Sequence, residues 1–459
     1  MSFDAIVTGD SIITQRVRVC DDPAFQSVVD LLRDADVSHT HFETICHDYD
    51  GPEVYPAAEG GGNWLRSPPW VAEEFAWAGF DITSHAGNHA NDYSYGGLRS
   101  TWAAAEAAGL PLAGTGENLG DARAPVFTDT GAGRVGLVSM SPSLQRWARA
   151  GEQRKDVKGR PGSNPLRYHW EAGPDRFDQI VDLATEFGMW ATRIEDDKLY
   201  LNPPGIHNTI TRIDESDEPG IRQKVHERDA AGNLDAIRGA SMQADFVIAH
   251  VHTHEHEPGA DVSKPPAWIE EFSRDCVQAG ADVVVCQGSH TPARGLEIYE
   301  GAPIFYDPGD LFFQSDSVTR IPAEFYYRHE HDLDERPLEA TPQQAFAARG
   351  LVYPWGQSVT ESEQDRESFG KGDNLLAPEG GFFVGPGSFV PECRFTDDFE
   401  LEAIDLHPVG WIEEPKSVSG VPARAHGEQA AEIIDWVAEC SAPYGTEIDV
   451  EDDTGVVTV

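Results

Sequence analysis

Gly79-Phe-Asp-Ile-Thr-Ser-His-Ala-Gly-Asn-His-Ala-Asn-Asp-Tyr-Ser-Tyr-Gly-Gly97 decides how the rest of the chain is read. Phe80 to Thr83 suits a short buried strand, and the pattern predicts a helix from about Leu98 to Ala108. Between them, Gly87-Asn88-His89 places an amide oxygen and an imidazole on the loop at the carboxyl end of a strand. Ligands and metals collect at that end in open α/β sheets. Asn88 offers a neutral oxygen, and His89 can bind a metal or donate a proton. Asn and His are also ordinary turn residues that tolerate unusual backbone angles. Taken alone, the segment supports a functional and a structural reading equally.

Further strand ends present similar groups. Phe3-Asp-Ala-Ile-Val-Thr-Gly-Asp10 reads as a strand ending in a carboxylate, and Val37-Ser-His-Thr-His-Phe-Glu43 as another. Phe246-Val-Ile-Ala-His-Val-His-Thr-His-Glu-His256 carries histidines at every second position. Alternate residues of a strand share a face, so His250, His252 and His254 point the same way if the strand runs that far. Ala281-Asp-Val-Val-Val-Cys-Gln-Gly-Ser-His290 is a buried strand leading into a Gly-Ser-His turn. These strand ends offer oxygen and nitrogen donors that suit one or two divalent ions such as Mn, Zn, Fe or Mg.

In this order the blocks resemble the CapA family of poly-gamma-glutamate capsule biosynthesis proteins, a branch of the calcineurin-like metallophosphatases. The resemblance runs from Gly9-Asp10 to the Tyr444-Gly-Thr446 region. The family pattern is Gly-Asp, Asn-Leu-Glu, Asn-Asn-His with a downstream Asp, and a His-Trp-Gly-type block. Gly-His-Gly-Pro-His or Gly-His-His-Pro-His follows, then Tyr-Ser-Leu-Gly-Asn. Here the pattern appears as Gly9-Asp10, His41-Phe42-Glu43, Gly87-Asn88-His89 with Asp92, and His252-Thr253-His254. Cys286-Gln287-Gly288-Ser289-His290 and Tyr306-Asp307-Pro308-Gly309-Asp310 complete it. Three residues depart from it: Gln287 for the first histidine of its block, Asp310 for Asn, and His41 for the Asn before the glutamate. A glutamine amide is a much poorer metal ligand than imidazole, which points to one weakened or lost metal position. Asp310 and His41 can both coordinate.

The resemblance implies a four-layer α/β sandwich of two mixed β-sheets flanked by helices, with surface insertions. It also implies metal-assisted hydrolysis of a phosphoester or an amide. Asp10, Glu43, Asn88, His252 and His290 then hold the ions, and His89 acts as general acid. His254, Asp310, His41 and Arg294 stand in a second line, Arg294 either clamping an anionic substrate or forming an ordinary ion pair. His85 and His250 read as structural, and His256, His329 and His331 as solvated surface. The implied role is a metal-dependent hydrolase or transferase-accessory protein acting in poly-gamma-glutamate or related anionic polymer metabolism. It would act on such a polymer or a small molecule, with capsule-synthesis proteins as partners. The rival reading is a non-catalytic metal- or polymer-binding subunit of a capsule synthesis complex, which Gln287 and Asp310 keep open.

Composition sets the outer bounds. The 459 residues suit one large α/β domain: a core over 1–314 with an excursion at 141–243, a polar surface stretch at 315–380, and strands and a helix over 381–459. The net charge of −45, from 79 acidic and 34 basic residues, is spread along the chain and resembles that of salt-in halophile proteins. Such a field excludes nucleic acid and anionic membranes as general partners. The local exception is a basic, Gly/Pro-rich loop from Arg146 to Arg167, read as a solvent-exposed insertion or a gate for a polyanion. Cysteines 20, 46, 276, 286, 393 and 440 lie far apart and read as reduced, mostly buried thiols. With neither a signal-like start nor an apolar run of about 18 residues, the expected location is the cytoplasm, without a membrane span.

Overall fold

The computed structural model describes residues 2–60, 63–193, 197–202, 211–256, 263–290, 293–328, 336–346 and 387–459. The chain opens a first sheet with β1 (Phe3–Ile12) and passes through α1 (Pro23–Asp34) to β2 (Val37–Phe42). It continues through α2 (Val71–Ala78) to β3 (Ile82–Ser84) and through α3 (Ser94–Ala108) to β4 (Leu112–Ala113). These strands pair in parallel. After β5 (Thr115–Gly116) and α4 (Leu119–Arg123), a second sheet begins with β6 (Val126–Asp129) and β7 (Arg134–Met140). The excursion that follows pairs β8 (Gly162–Ser163) with β5. It then folds β9 (Tyr168–Ala172), α5 (Pro174–Glu186), β10 (Trp190–Arg193), β11 (Lys198–Asn202), β12 (Thr211–Glu215) and β13 (Ile221–Val225) around a five-stranded sheet of its own.

Helix α6 (Glu227–Ser241) leads back to the second sheet, built from β14 (Phe246–His252), β15 (Val283–Gln287), β16 (Leu296–Tyr299) and β17 (Ala302–Phe305), with α7 (Ala267–Gln278) between β14 and β15. Its order is β16-β17-β15-β14-β7-β6, and β7, β14, β15 and β17 are parallel. The chain re-enters the first sheet with β18 (Phe312–Phe313), and α8 (Ala323–Arg328) follows. β19 (Ser388–Phe395), β20 (Leu401–Ile412), β21 (Val421–Arg424), α9 (Glu428–Ser441), β22 (Ile448–Glu451) and β23 (Thr454–Val457) finish the chain. The first sheet runs β22-β23-β20-β19-β1-β2-β3-β4, with β18 also on β1 and β21 on β20.

Two-residue alternation explains the layers. In β1, Phe3, Ala5 and Val7 face the second sheet, where they meet Phe246, Ile248, Val283 and Val285; Ile6 faces the helices. Phe25, Val28, Leu32 and Phe75 of α1 and α2 cover that outer face. On the far side, Ile237 and Ala240 of α6, with Trp268, Ile269 and Phe272 of α7, cover Val247, Ala249 and Val251 of β14. The result is helix, sheet, sheet, helix: the four-layer sandwich of two mixed sheets. Helix α6 falls inside the excursion of the sequence reading, yet its apolar stripe makes it part of the outer layer. Residues 329–335 and 347–386 lie outside the described residues, so they take with them His329, His331, most of the 315–380 stretch and the start of the 381–459 stretch. Among the described residues, no helix is long and apolar enough to cross a membrane.

One device recurs at the amino ends of the parallel strands. Asp36, Asp81, Asp245 and Asp282 each sit just before a strand, and each carboxylate accepts a backbone N–H from the first or second residue of the neighbouring strand: Asp4, Ser38, Arg134 and Val247. Each aspartate also donates its own N–H to that residue's carbonyl. The pairing satisfies groups that a parallel ladder leaves open at its end. It also fixes the register, and so the height at which the opposite, carboxyl ends arrive.

Candidate metal centre

Both sheets send the carboxyl ends of their parallel strands to one rim. The inner face of β14 continues from Phe246 and Ile248 to His250 and His252, and that of β2 from Val37 to His39 and His41. The apolar core between the sheets thus becomes a column of imidazoles as it nears the rim. A register shift between Val7 and Asp10 in the β1–β2 pairing lets β1 present Asp10 at the rim. Gly9 is needed beside it: a Cβ there would lie 2.0 Å from the Gly309 carbonyl oxygen. Leu311 N–H donates to Asp10 O at 2.7 Å, so backbone contact brings Asp10 and Asp310 together. The turn after β15 is tied by Asp307, which accepts from Ser289 N (3.0 Å), Ser289 Oγ (2.6 Å) and Gly309 N (2.8 Å). His290 follows at φ 49°, a backbone angle that a non-glycine residue adopts only when its surroundings hold it there.

Eight side chains converge. His290 Nδ1 lies 2.9 Å from Asp310 Oδ1 and 3.8 Å from Asp10 Oδ2, and its Nε2 lies 3.4 Å from Glu43 Oε1. His252 Nδ1 is 3.5 Å from Asp10 Oδ1. Its Nε2 is 2.7 Å from Asn88 Oδ1, 3.1 Å from His254 Nε2 and 4.0 Å from Glu43 Oε1. Three triads have ligand atoms within 4.8 Å of one another: Asp10–His41–His252, Glu43–His254–His290 and Asp10–His290–Asp310. His89 stands beside the cluster, its Nδ1 2.6 Å from Asp92 Oδ2, which also accepts from Leu65 N at 2.8 Å.

The electrostatics are those of a cation site. Both oxygens of Asp10 and both of Glu43 are buried without a hydrogen-bond partner. Buried unpaired carboxylate oxygens are costly, so the donor set fits a divalent cation well. Burial, reinforced by Glu43, raises the Asp10 carboxyl well above its ordinary range. Burial also works against charge on Glu43, but His290 overrides it and holds that carboxyl at about 2. His290 is raised well above an ordinary imidazole because Asp310 and Glu43 outweigh its burial. Burial lowers His252 to about 4 and lowers His254 well below an ordinary imidazole, which leaves both neutral and able to ligate.

The structure brings together Asp10, Glu43, Asn88, His252 and His290, with His254 and Asp310 among them and His89 alongside. β14 ends at His252, so His254 arrives by the loop beyond it rather than by alternation. His41 stacks on His252 (4.7 Å) and on His250 (4.9 Å), and its Nδ1 meets Ser84 Oγ at 3.0 Å. Arg294 is buried, its Nη2 donating to the Glu255 carbonyl at 3.2 Å, so it is enclosed within the fold. His85 holds the Phe42 carbonyl (2.7 Å), and Cys286 packs against Ser273. The Gln287 amide contacts His252 Nδ1 (3.2 Å) and His250 Nε2 (2.7 Å), one step inward from the cluster. The sequence reading missed Gln287, Ser84 and Ser139 as partners of the imidazole column; the two-residue period of His39 and His41 was the available signal.

A four-layer α/β sandwich with a histidine–carboxylate cluster at the rim shared by both sheets defines a class of protein compatible with divalent-metal binding. The family of bacterial capsule synthesis proteins PGA_cap matches residues 5–315, a span that holds the whole cluster, and the chain belongs to that family. Two relatives from Sinorhizobium fredii (strain NBRC 101917 / NGR234), the uncharacterized proteins y4sH and y4uA, are each 28% identical over 459 residues, 99% of this chain and 93% of theirs. A hypothetical protein from Thermus thermophilus aligns at TM-score 0.38 and 10% identity, over 88% of this chain and 98% of that one. A putative 5'-nucleotidase from Staphylococcus aureus, in complex with alpha-ketoglutarate, aligns at TM-score 0.31 and 11% identity, over 68% and 49%. Both scores are low, and the fold assignment rests on the layers themselves.

Proposed function

We propose that this chain is a metal-dependent hydrolase of capsule-type anionic polymer metabolism, cleaving a phosphoester or an amide, and that it works beside other capsule-synthesis proteins. The observation that carries the reading is the set of four buried carboxylate oxygens on Asp10 and Glu43 amid His252, His254, His290, Asn88 and Asp310. These residues would hold one or two divalent ions, and the mixed nitrogen and oxygen donors suit manganese, zinc or iron better than an all-oxygen site would. Bound there, such ions supply Lewis acidity toward the attacked group and activate water.

The remaining chemistry belongs to side chains. Asp92 accepts from His89 Nδ1 and fixes the ring, leaving Nε2 to pass a proton to the leaving group. Leu65 N–H anchors Asp92, so His89 is held by the backbone of a neighbouring loop. The test is turnover of a generic phosphoester and of a short γ-glutamyl oligomer, with added manganese or zinc, in high salt. Metal-dependent turnover that is lost in His89→Ala supports the proposal. Turnover that survives this substitution unchanged removes His89 from the mechanism.

A further inference from the structure

Gln287 ends β15 directly opposite His252, the last residue of β14, so register makes the two side chains neighbours on the inner face. Gln287 Oε1 lies 3.2 Å from His252 Nδ1, and its Nε2 lies 2.7 Å from His250 Nε2. His250 Nδ1 in turn lies 2.9 Å from Ser139 Oγ. An amide oxygen only accepts and an amide nitrogen only donates, and the Asp10 carboxylate 3.5 Å from His252 Nδ1 also accepts, so the network places the His252 proton on Nδ1. His252 carries its proton on Nδ1 and donates it to Gln287 Oε1. Gln287 Nε2 donates to His250 Nε2, and the His250 proton sits on Nδ1, toward Ser139 Oγ.

That leaves the His252 Nε2 lone pair pointing into the cluster, 2.7 Å from Asn88 Oδ1 and 3.1 Å from His254 Nε2. An imidazole lone pair and an amide oxygen so close repel each other unless a cation joins them. The ring is held in place as well. His41 stacks on it at 25°, and a Cβ on Gly288 (φ 116°) would come within 2.9 Å of His252 Cε1.

We infer that Gln287 is a positioning residue, which together with His250 and Ser139 locks His252 in the Nδ1–H tautomer and orients Nε2 as a metal ligand. The glutamine that looked like a lost ligand is thereby the partner that makes another ligand competent. Outer hydrogen-bond partners of this kind change metal affinity about 10- to 100-fold when removed. The inference rests on the cluster being a metal centre.

The test compares wild type, Gln287→Met and Gln287→Glu by affinity for manganese and zinc in chelator competition, and by melting temperature after chelator treatment. Met fills the space without an acceptor, whereas a Glu carboxylate still takes the His252 proton. The expected result is about 10- to 100-fold weaker binding for Q287M with a metal-free melting temperature close to wild type, and recovery to within a few-fold for Q287E. If Q287M does not fold, Ser139→Ala probes the same chain from its far end, with a smaller loss of affinity expected. Q287M binding as tightly as wild type overturns the inference while leaving the metal centre standing. Q287E as weak as Q287M also overturns it, since that outcome marks the position as packing alone. A wild-type protein that takes up neither ion overturns the metal centre and this inference together.

Discussion

His89 and Asp92 are three residues apart, and their 2.6 Å contact gives the imidazole a fixed direction and a charged partner. General acid catalysis by such a group contributes about 10²–10⁴-fold, so His89→Ala should lower kcat by that range with bound metal unchanged. Parallel turnover and elemental analysis of one preparation check both halves. A variant that loses metal as well would make His89 a ligand. Residue types at strand ends were legible in the sequence, because Asp10, Glu43, Asn88 and the histidines follow apolar runs that can only be strands. Direction was not legible. Nothing in Cys-Gln-Gly-Ser-His shows that Gln287 faces inward to His250, or that Arg294 is enclosed beside the Glu255 carbonyl. Both facts depend on how β15 and its following turn sit against β14, which is long-range information.

Among the elements, the aspartates that open the parallel strands carry a testable cost. Asp282 accepts from Val247 N at 2.7 Å, yet burial pushes its carboxyl up to about 6. A carboxyl raised in the folded state favours folding while it stays protonated, and this contribution is lost as pH climbs from about 4 through about 6. At about 1.4 kcal/mol per factor of ten, the cost at neutral pH is at most roughly 3 kcal/mol, and less because the carboxylate is only part-buried. Asp282→Asn keeps the acceptor and removes the charge. Thermal melts between pH 4.5 and 7.5 should show the variant more stable than wild type at pH 7 and the two converging toward pH 4.5. Equal melting temperatures throughout would mean that Asp282 ionises freely. Helix interiors were legible because their apolar periodicity is strong, as in α1 and α9. The five-stranded sheet of the excursion was not, since its strands are short and polar, as in Ile221–Val225.

At the scale of the whole molecule, the net charge of −45 sets the conditions under which the fold holds. Exposed carboxylates repel over about 10 Å at 0.1 M salt and over about 3 Å at 1 M, so the melting temperature should rise steeply with potassium or sodium chloride. Melts at 0.1 M and about 3 M salt check this, and indifference to salt would contradict the halophile reading of the composition. That charge was plain in the sequence, and the four-layer order followed from the family resemblance that the blocks carry. What the sequence withheld was how closely the two sheets approach at the rim, where Gly9 meets Gly309 and two aspartates converge on His290. The central claim is that this rim holds divalent metal. Elemental mass spectrometry on protein purified in high salt without chelators tests it most directly. One or two ions per chain are expected in wild type, with loss of at least one in Asp10→Asn. A protein that retains none, and rebinds none when manganese or zinc is added, would contradict it.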